Sequence, residues 1–242
     1  MTASFPWYDL ASVRWANDVL WRAMGLGGEL DRTTPVDAQW RADGLVVSQA
    51  CGLDLFVGDW PIEPVLAPVF DLDCLPGHYF SYVVGTCEAP SNGGVAAVNS
   101  LSSRSGFTAL LSVCTPRSMI VTGSHEASLS ALARGAATVA CIDAVTWHIL
   151  ERDAPALVEG FDVLERTASA PAPPYVVRRN GKPDRLVRRM TAAMQNPATR
   201  LARRALLLHG VIPVARSDYA PVLTEYRAVA ERIPPLLMAC GR

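Results

Sequence analysis

Residues Val95–Val113 read VAAVNSLSSRSGFTALLSV, and Ser118–Ile142 read SMIVTGSHEASLSALARGAATVACI. Short apolar runs alternate here with stretches of helical period, so the segment parses as strand, loop, helix, strand, loop, helix, strand. That alternation belongs to α/β folds with parallel strands. The first loop, Asn99 to Gly106, is the most informative. Ser103 or Ser105 is placed to cap the helix that follows, whose apolar positions are Phe107, Leu110, Leu111 and Cys114. The free N–H groups and the dipole of such a helix start favour an anion in front of them, and Gly106 admits a close approach. Arg104 either adds positive charge there or points to water. Two readings of the loop stand side by side: a well-capped strand-to-helix connection, or an oxyanion cradle. Neither GxxxxGK[ST] nor GxGxxG is present, so no nucleotide motif is read here.

The second loop, Thr122 to His125, again ends one strand and opens one helix, with Ser124 as the cap and His125 at the helix start. The third strand ends in Asp143. Three successive strand ends therefore offer Ser103 to Ser105, Ser124 with His125, and Asp143. In an open α/β sheet the carboxyl ends of the strands are where ligands bind. Their convergence says more than any one of these residues.

The chain has 242 residues, half of them hydrophobic, and a net charge of −1. It is long enough for one large core or two small ones, and nothing in its charge drives it to nucleic acid or an anionic membrane. Residues 1–165 hold 8 Arg or Lys against 19 Asp or Glu, and residues 166–242 hold 14 against 4. The basic excess around Arg178, Arg185 and Arg189 lacks the aromatic company of a nucleic-acid surface and reads as a solvated helix face. Six cysteines lie at 51, 74, 87, 114, 141 and 240, none in a CxxC pair. Cys114 and Cys141 read as small core hydrophobes; a Cys74–Cys87 approach across a loop is open. No metal centre or cofactor is expected. No apolar run is long enough to span a membrane. The start, MTASFPWYDL, shows no secretory n-region or h-region, which predicts a cytoplasmic protein as encoded, or a periplasmic one if a leader has been removed.

Taken in order, the chain predicts a strand over Thr2–Trp7 and a helix over Leu10–Met24 capped by Asp9 or Ser12, with Tyr8 at the strand end. A helical turn at Val36–Arg41 and a strand at Leu45–Gln49 follow. That strand delivers Gln49 and Cys51 to its carboxyl end. Further strands are expected at Val65–Asp71 and His78–Val84, and a turn-rich break at Gly85–Gly94. Later come a helix from Thr146, a strand at Phe161–Arg166, a proline-rich return from Ser169 to Pro174 and a strand at Tyr175–Arg178. Helices over Pro183–Gln195, Ala198–His209 and Asp218–Ile233 close the chain. The expected fold class is α/β, two lobes, each a three-layer sandwich. Lobe 1 takes residues 1–84 and 165–242 with the helical ending packed on it, and lobe 2 takes 85–164.

From Ala97 to Asp143 the chain resembles the substrate-binding proteins of phosphonate and phosphite ABC transporters, of the type 2 periplasmic-binding fold. The resemblance is carried by Ala97-Val98-Asn99, Ser103-Arg104-Ser105-Gly106, Gly123-Ser124-His125-Glu126-Ala127-Ser128-Leu129 and Val139-Ala140-Cys141-Ile142-Asp143. Arg104 stands where that family carries a small polar residue. The resemblance implies a non-catalytic protein holding a small oxyanion-bearing ligand between the lobes, with an ABC permease as partner. Ser103, Ser105 and the amides of 105–107 would hold the anionic head, and His125 would donate to it. Asp143 would take an amine or hydroxyl, and Tyr8 and Gln49 would close from the other lobe, beside Cys51. The alternatives are an enzyme on the same scaffold using Cys51 or His125, a binder of a heterocyclic vitamin precursor, and a sensor that has lost transport.

Overall fold

A computed structural model describes residues 1–86 and 93–233. The expected Gly85–Gly94 break lies partly, and Cys87 and Cys240 wholly, outside them. The described chain divides into two compact units: Met1–His78 with Pro171–Ala220, and Tyr79–Ala170 with the residues from Pro221 onward.

Unit 1 begins with β1 (Thr2–Ala3), α1 (Arg14–Met24), α2 (Val36–Arg41), β2 (Leu45–Gln49) and β3 (Ile62–Phe70). The chain leaves it through β4 (His78–Tyr79). Unit 2 follows with β5 (Ser81–Gly85), β6 (Val95–Val98), a π-helical turn at Arg104–Thr108 running into α3 (Ala109–Val113), and β7 (Ser118–Val121). It continues through α4 (His125–Ala133), β8 (Val139–Asp143), α5 (Ala144–Asp153), β9 (Asp162–Arg166) and β10 (Ala170–Pro171), which pairs with β4. Unit 1 is then completed by β11 (Tyr175–Arg178), α6 (Pro183–Gln195), α7 (Arg200–Ala205) and β12 (Leu208–Pro213). From Pro221, α8 (Ala220–Ala230) belongs to unit 2.

Each unit is built on a five-stranded sheet. In unit 1 the order is β1-β2-β11-β3-β12, parallel at β1–β2 and antiparallel elsewhere. In unit 2 it is β7-β6-β8-β5-β9. There β7, β6 and β8 run parallel, and β5 and β9 join antiparallel. The central strand β8 is VACID, and all five residues are buried. A strand covered on both faces reads as a continuous apolar run, which is why it was visible without alternation. Against it sit Phe107, Leu110, Leu111 and Cys114, the apolar positions expected of the helix after the first loop.

The differences from expectation have local causes. β1 stops at Ala3, and Pro6, which has no N–H to give a ladder, lies just beyond. α1 starts at Arg14 without a side-chain cap, because Asp9 is taken by Arg14, Arg32 and Asn17 instead. The expected strand at 78–84 is interrupted at Phe80. The helix expected to reach His209 ends at Ala205, where Leu207 takes a left-handed φ of 53° and sends the chain into β12, a strand absent from the sequence reading. The lobe boundaries at 84/85 and 164/165 also move, to 78/79 and 170/171, and a third passage occurs at 220/221. The final helix, expected on lobe 1, is instead assigned from Pro221 onward to unit 2. Val229 lies in the core cluster of unit 2, with Tyr226 and Ile233 against it.

Candidate functional site

The three strand-end loops of unit 2 meet. Ser105 Oγ lies 3.1 Å from His125 Nε2, and Asp143 Oδ2 lies 3.3 Å from the same nitrogen. Ser103 Oγ is 3.3 Å from Ser105 Oγ. All four side chains are buried or nearly so, His125 being the most open at 12 %.

Each is held by its own element. Ser103 caps the first turn, its Oγ accepting from the Gly106 amide at 2.9 Å while its carbonyl accepts from Thr108 N. The i→i−5 bond makes this turn π-helical, a local irregularity often found where side chains are aimed at a ligand. The Gly106 amide, expected among the ligand donors, is therefore spent on Ser103. Asp143 likewise caps α5, its Oδ1 accepting from Thr146 N at 2.9 Å, which leaves Oδ2 for His125. Ser124 caps α4 through Ala127 N but is exposed and makes no bond to the cluster.

Gly106 is required by approach, not by φ. A Cβ at 106 would overlap Asn99 Oδ1 and sit 3.3 Å from His125 Cε1. Asn99 is thus a member of the cluster that the residue-by-residue reading passed over; its place at the end of β6, opposite the glycine, was the available signal. Its Oδ1 and His125 Nδ1 are buried without a hydrogen-bond partner. Unpaired buried polar atoms are uncommon, and two on facing residues mark this cluster out. Burial pushes the His125 imidazole below its ordinary value, against the opposing pull of the Asp143 charge and the Cys141 carbonyl. A neutral ring with its proton on Nε2 donates toward Ser105 Oγ and Asp143 Oδ2, and leaves the serine hydroxyl protons for a third group.

Arg104 neither enters the cluster nor reaches water. It is 3 % exposed, and its Nη2 donates to Ala168 O at 2.9 Å while Nε donates to Glu225 at 3.2 Å. The remaining candidates lie in unit 1. Tyr8 is buried edge-on against Phe70, with ring centroids 5.1 Å apart. Gln49 Oε1 accepts from Trp7 N at 3.3 Å, and its carbonyl accepts from the Trp40 indole at 3.2 Å. Cys51 is buried, and its amide donates to Asp54 at 2.9 Å. A cavity of about 230 Å³ also lies in unit 1, beside Phe5 and Leu30. The charges lining it are engaged with their neighbours: Asp9 with Arg32, and Asp31 with the amides of Thr33 and Thr34.

Residues 108–219 match the family of periplasmic substrate-binding proteins of phosphonate ABC transporters. A comparison with curated protein sequences finds no match. Among solved structures, the chain is similar to a Xanthomonas citri protein bound to chloride, at a TM-score of 0.68 and 15 % identity, covering 96 % of this chain and 99 % of that one. It is similar to the binding protein component of an ABC phosphonate transporter from Pseudomonas aeruginosa, at 0.69 and 12 %, covering 97 % and 96 %. It is also similar to PhnD1 from Prochlorococcus marinus in complex with methylphosphonate, at 0.71 and 11 %, covering 95 % and 97 %. Residues 108–219 thus match the phosphonate-type substrate-binding family, and over nearly its whole length the chain shares the type 2 periplasmic-binding fold of these structures.

Proposed function

We propose that this is a solute-binding protein whose second unit holds the head of a small phosphonate- or phosphite-like oxyanion, and that it delivers this solute to an ABC permease. One observation carries the reading: Ser105, His125 and Asp143, from three separate strand ends, come within hydrogen-bond reach around a single imidazole nitrogen. The hydroxyls of Ser103 and Ser105 supply donors to an anion. No Lys or Arg side chain is bonded to the cluster among the described residues, since Arg104 is turned to Glu225 and Ala168. Asp143 Oδ2 is an acceptor beside those donors, so a ligand that carries a proton of its own, on an acid oxygen or an amine, fits better than a fully ionised one. A singly protonated phosphonate or phosphite meets that demand near neutral pH; sulfate does not. The similar protein from P. marinus was solved with methylphosphonate, and this agrees with the chemistry.

The geometry favours binding over catalysis. A serine nucleophile needs one imidazole nitrogen as its base and the other oriented by a carboxylate. Here Ser105 and Asp143 both address Nε2, and Nδ1 has no partner. Cys51 has its amide tied to Asp54 within its own turn. Calorimetric titration with methylphosphonate, phosphite, phosphate and sulfate tests the proposal. Methylphosphonate or phosphite is expected to bind, and sulfate to bind at least about tenfold more weakly. No heat from any of the four defeats the oxyanion assignment, and sulfate binding as tightly as the others defeats the role given to Asp143.

A further inference from the structure

The final helix and the turn that follows it grip the helix that carries the cradle from one end to the other. At the far end, Arg232 donates to Leu111 O at 2.6 Å and to Cys114 O at 3.1 Å, satisfying carbonyls of the last turn of α3. In the middle, the Tyr226 ring lies 6.2 Å from that of Phe107. At the cradle end, Glu225 accepts from Arg104 Nε at 3.2 Å.

Arg104 is expensive where it stands. A buried guanidinium carries a large desolvation cost, and a cation in the first turn of a helix opposes the helix dipole. Its Nη1 is buried without a partner, so the site is not one that satisfies an arginine fully. What offsets the cost is Glu225, the Ala168 carbonyl at 2.9 Å and the Tyr79 ring 5.8 Å from the guanidinium carbon. These three partners share one property. Tyr79 directly follows the passage of the chain at 78/79, Ala168 lies just before the one at 170/171, and Glu225 lies one helical turn beyond the one at 220/221. The residues on either side of Arg104 are Ser103 and Ser105.

We infer that Arg104 is a positioning residue of the oxyanion cradle: it hangs the turn bearing Ser103 and Ser105 on the three segments by which the chain passes between its units, with Glu225 as its charge partner. The seating of α8 then sets the geometry of the Ser103 and Ser105 hydroxyls through Arg104. By linkage, a ligand that fixes those hydroxyls favours the same seating in return. The inference rests on the oxyanion reading above, and its test separates the two.

Glu225→Gln removes the charge at a side chain that is 37 % exposed, so the full chain still folds. Amide hydrogen exchange without ligand is expected to speed up about tenfold at residues 104–108 and to stay unchanged in β8, since only the cradle turn loses its charged anchor. Calorimetry with methylphosphonate is expected to show binding about tenfold weaker, with Glu225→Asp recovering part of the loss. Unchanged exchange at 104–108 overturns the inference. So does an equal rise across β8, which is general destabilisation, and so does faster exchange with unchanged affinity. No heat from the wild-type protein overturns the oxyanion reading itself, and the positioning role falls with it.

Discussion

The two units put polar residues in the same kind of place, the carboxyl ends of β-strands, and use them differently. In unit 1, Gln49 closes a bond to the Trp7 backbone, and the Asp54 carboxylate is given to the Cys51 amide. Trp7, Trp40 and Trp60 pack beside them. These groups hold the strand ends together. In unit 2, Asp143 caps α5 with Oδ1 and turns Oδ2 to His125, and the Ser103 hydroxyl that caps the first turn also lies 3.3 Å from Ser105 Oγ. Asn99 Oδ1 and His125 Nδ1 are left over altogether. A strand end becomes a candidate ligand site when its hydrogen-bonding capacity exceeds what its own backbone consumes.

Filling the space between Asn99 and His125 is the most direct way to break that contrast. In Gly106→Ala the new methyl collides with Asn99 Oδ1, and the turn or the asparagine has to move. We expect methylphosphonate affinity to fall about 30-fold, near 2 kcal/mol, with a smaller loss of stability, because overpacking is felt first where the turn is already irregular. Calorimetry and a denaturant melt on the same sample read both. Affinity within threefold of wild type would show that the turn can shift without consequence, and that the cluster is not the site.

Much of this was written in the sequence of unit 2. The apolar β6 and β8, the capping serines and the aspartate at a strand end are local signals, and each of them is found where its residue type says it belongs. What escaped was non-local. Nothing within Ser103-Arg104-Ser105 says that the arginine turns inward, since its partner Glu225 is 121 residues away. The placing of the last helix on unit 2 is likewise decided by Val229 and Tyr226 finding Phe107, and an amphipathic helix does not name the face it will cover. β12 was hidden because Leu-Leu-Leu-His suits a helix until Leu207 adopts a left-handed φ. That conformation is uncommon for a branched side chain and has no signature in the residue itself.

The contrast sharpens at Asp54, the unit 1 carboxyl given wholly to structure. Burial raises its pKa to about 6, with the Cys51 amide pulling the other way. A carboxyl raised in the folded state contributes stability below its unfolded value of 3.8 and loses it as pH rises through about 6. At pH 7 the charged, desolvated Asp54 is therefore a burden. Asp54→Asn keeps an oxygen for the Cys51 amide and removes the charge. Denaturant midpoints are expected to show a gain of about 1–2 kcal/mol at pH 7 that disappears by pH 4. A variant no more stable than wild type at pH 7 would mean that the amide bond matters more than the desolvation, and that unit 1 has nothing to gain here.

His125 gives the smallest effect and the opposite sign. Its folded pKa lies below the ordinary 6.5, chiefly through burial, so below pH 6.5 the unfolded chain takes up a proton that the folded cradle resists. Stability from this group is complete above pH 6.5 and is lost as pH falls toward the folded value. His125→Gln retains a donor and an acceptor but does not titrate. Between pH 7.5 and pH 5 the wild type should lose more stability than the variant, measured as the difference between two sets of denaturant melts. Curves that run parallel would mean the ring already finds a way to accept its second proton, through Asp143 or through water. The cluster would then be a charged pair at rest, not a neutral imidazole keeping serine hydroxyls free for an incoming anion.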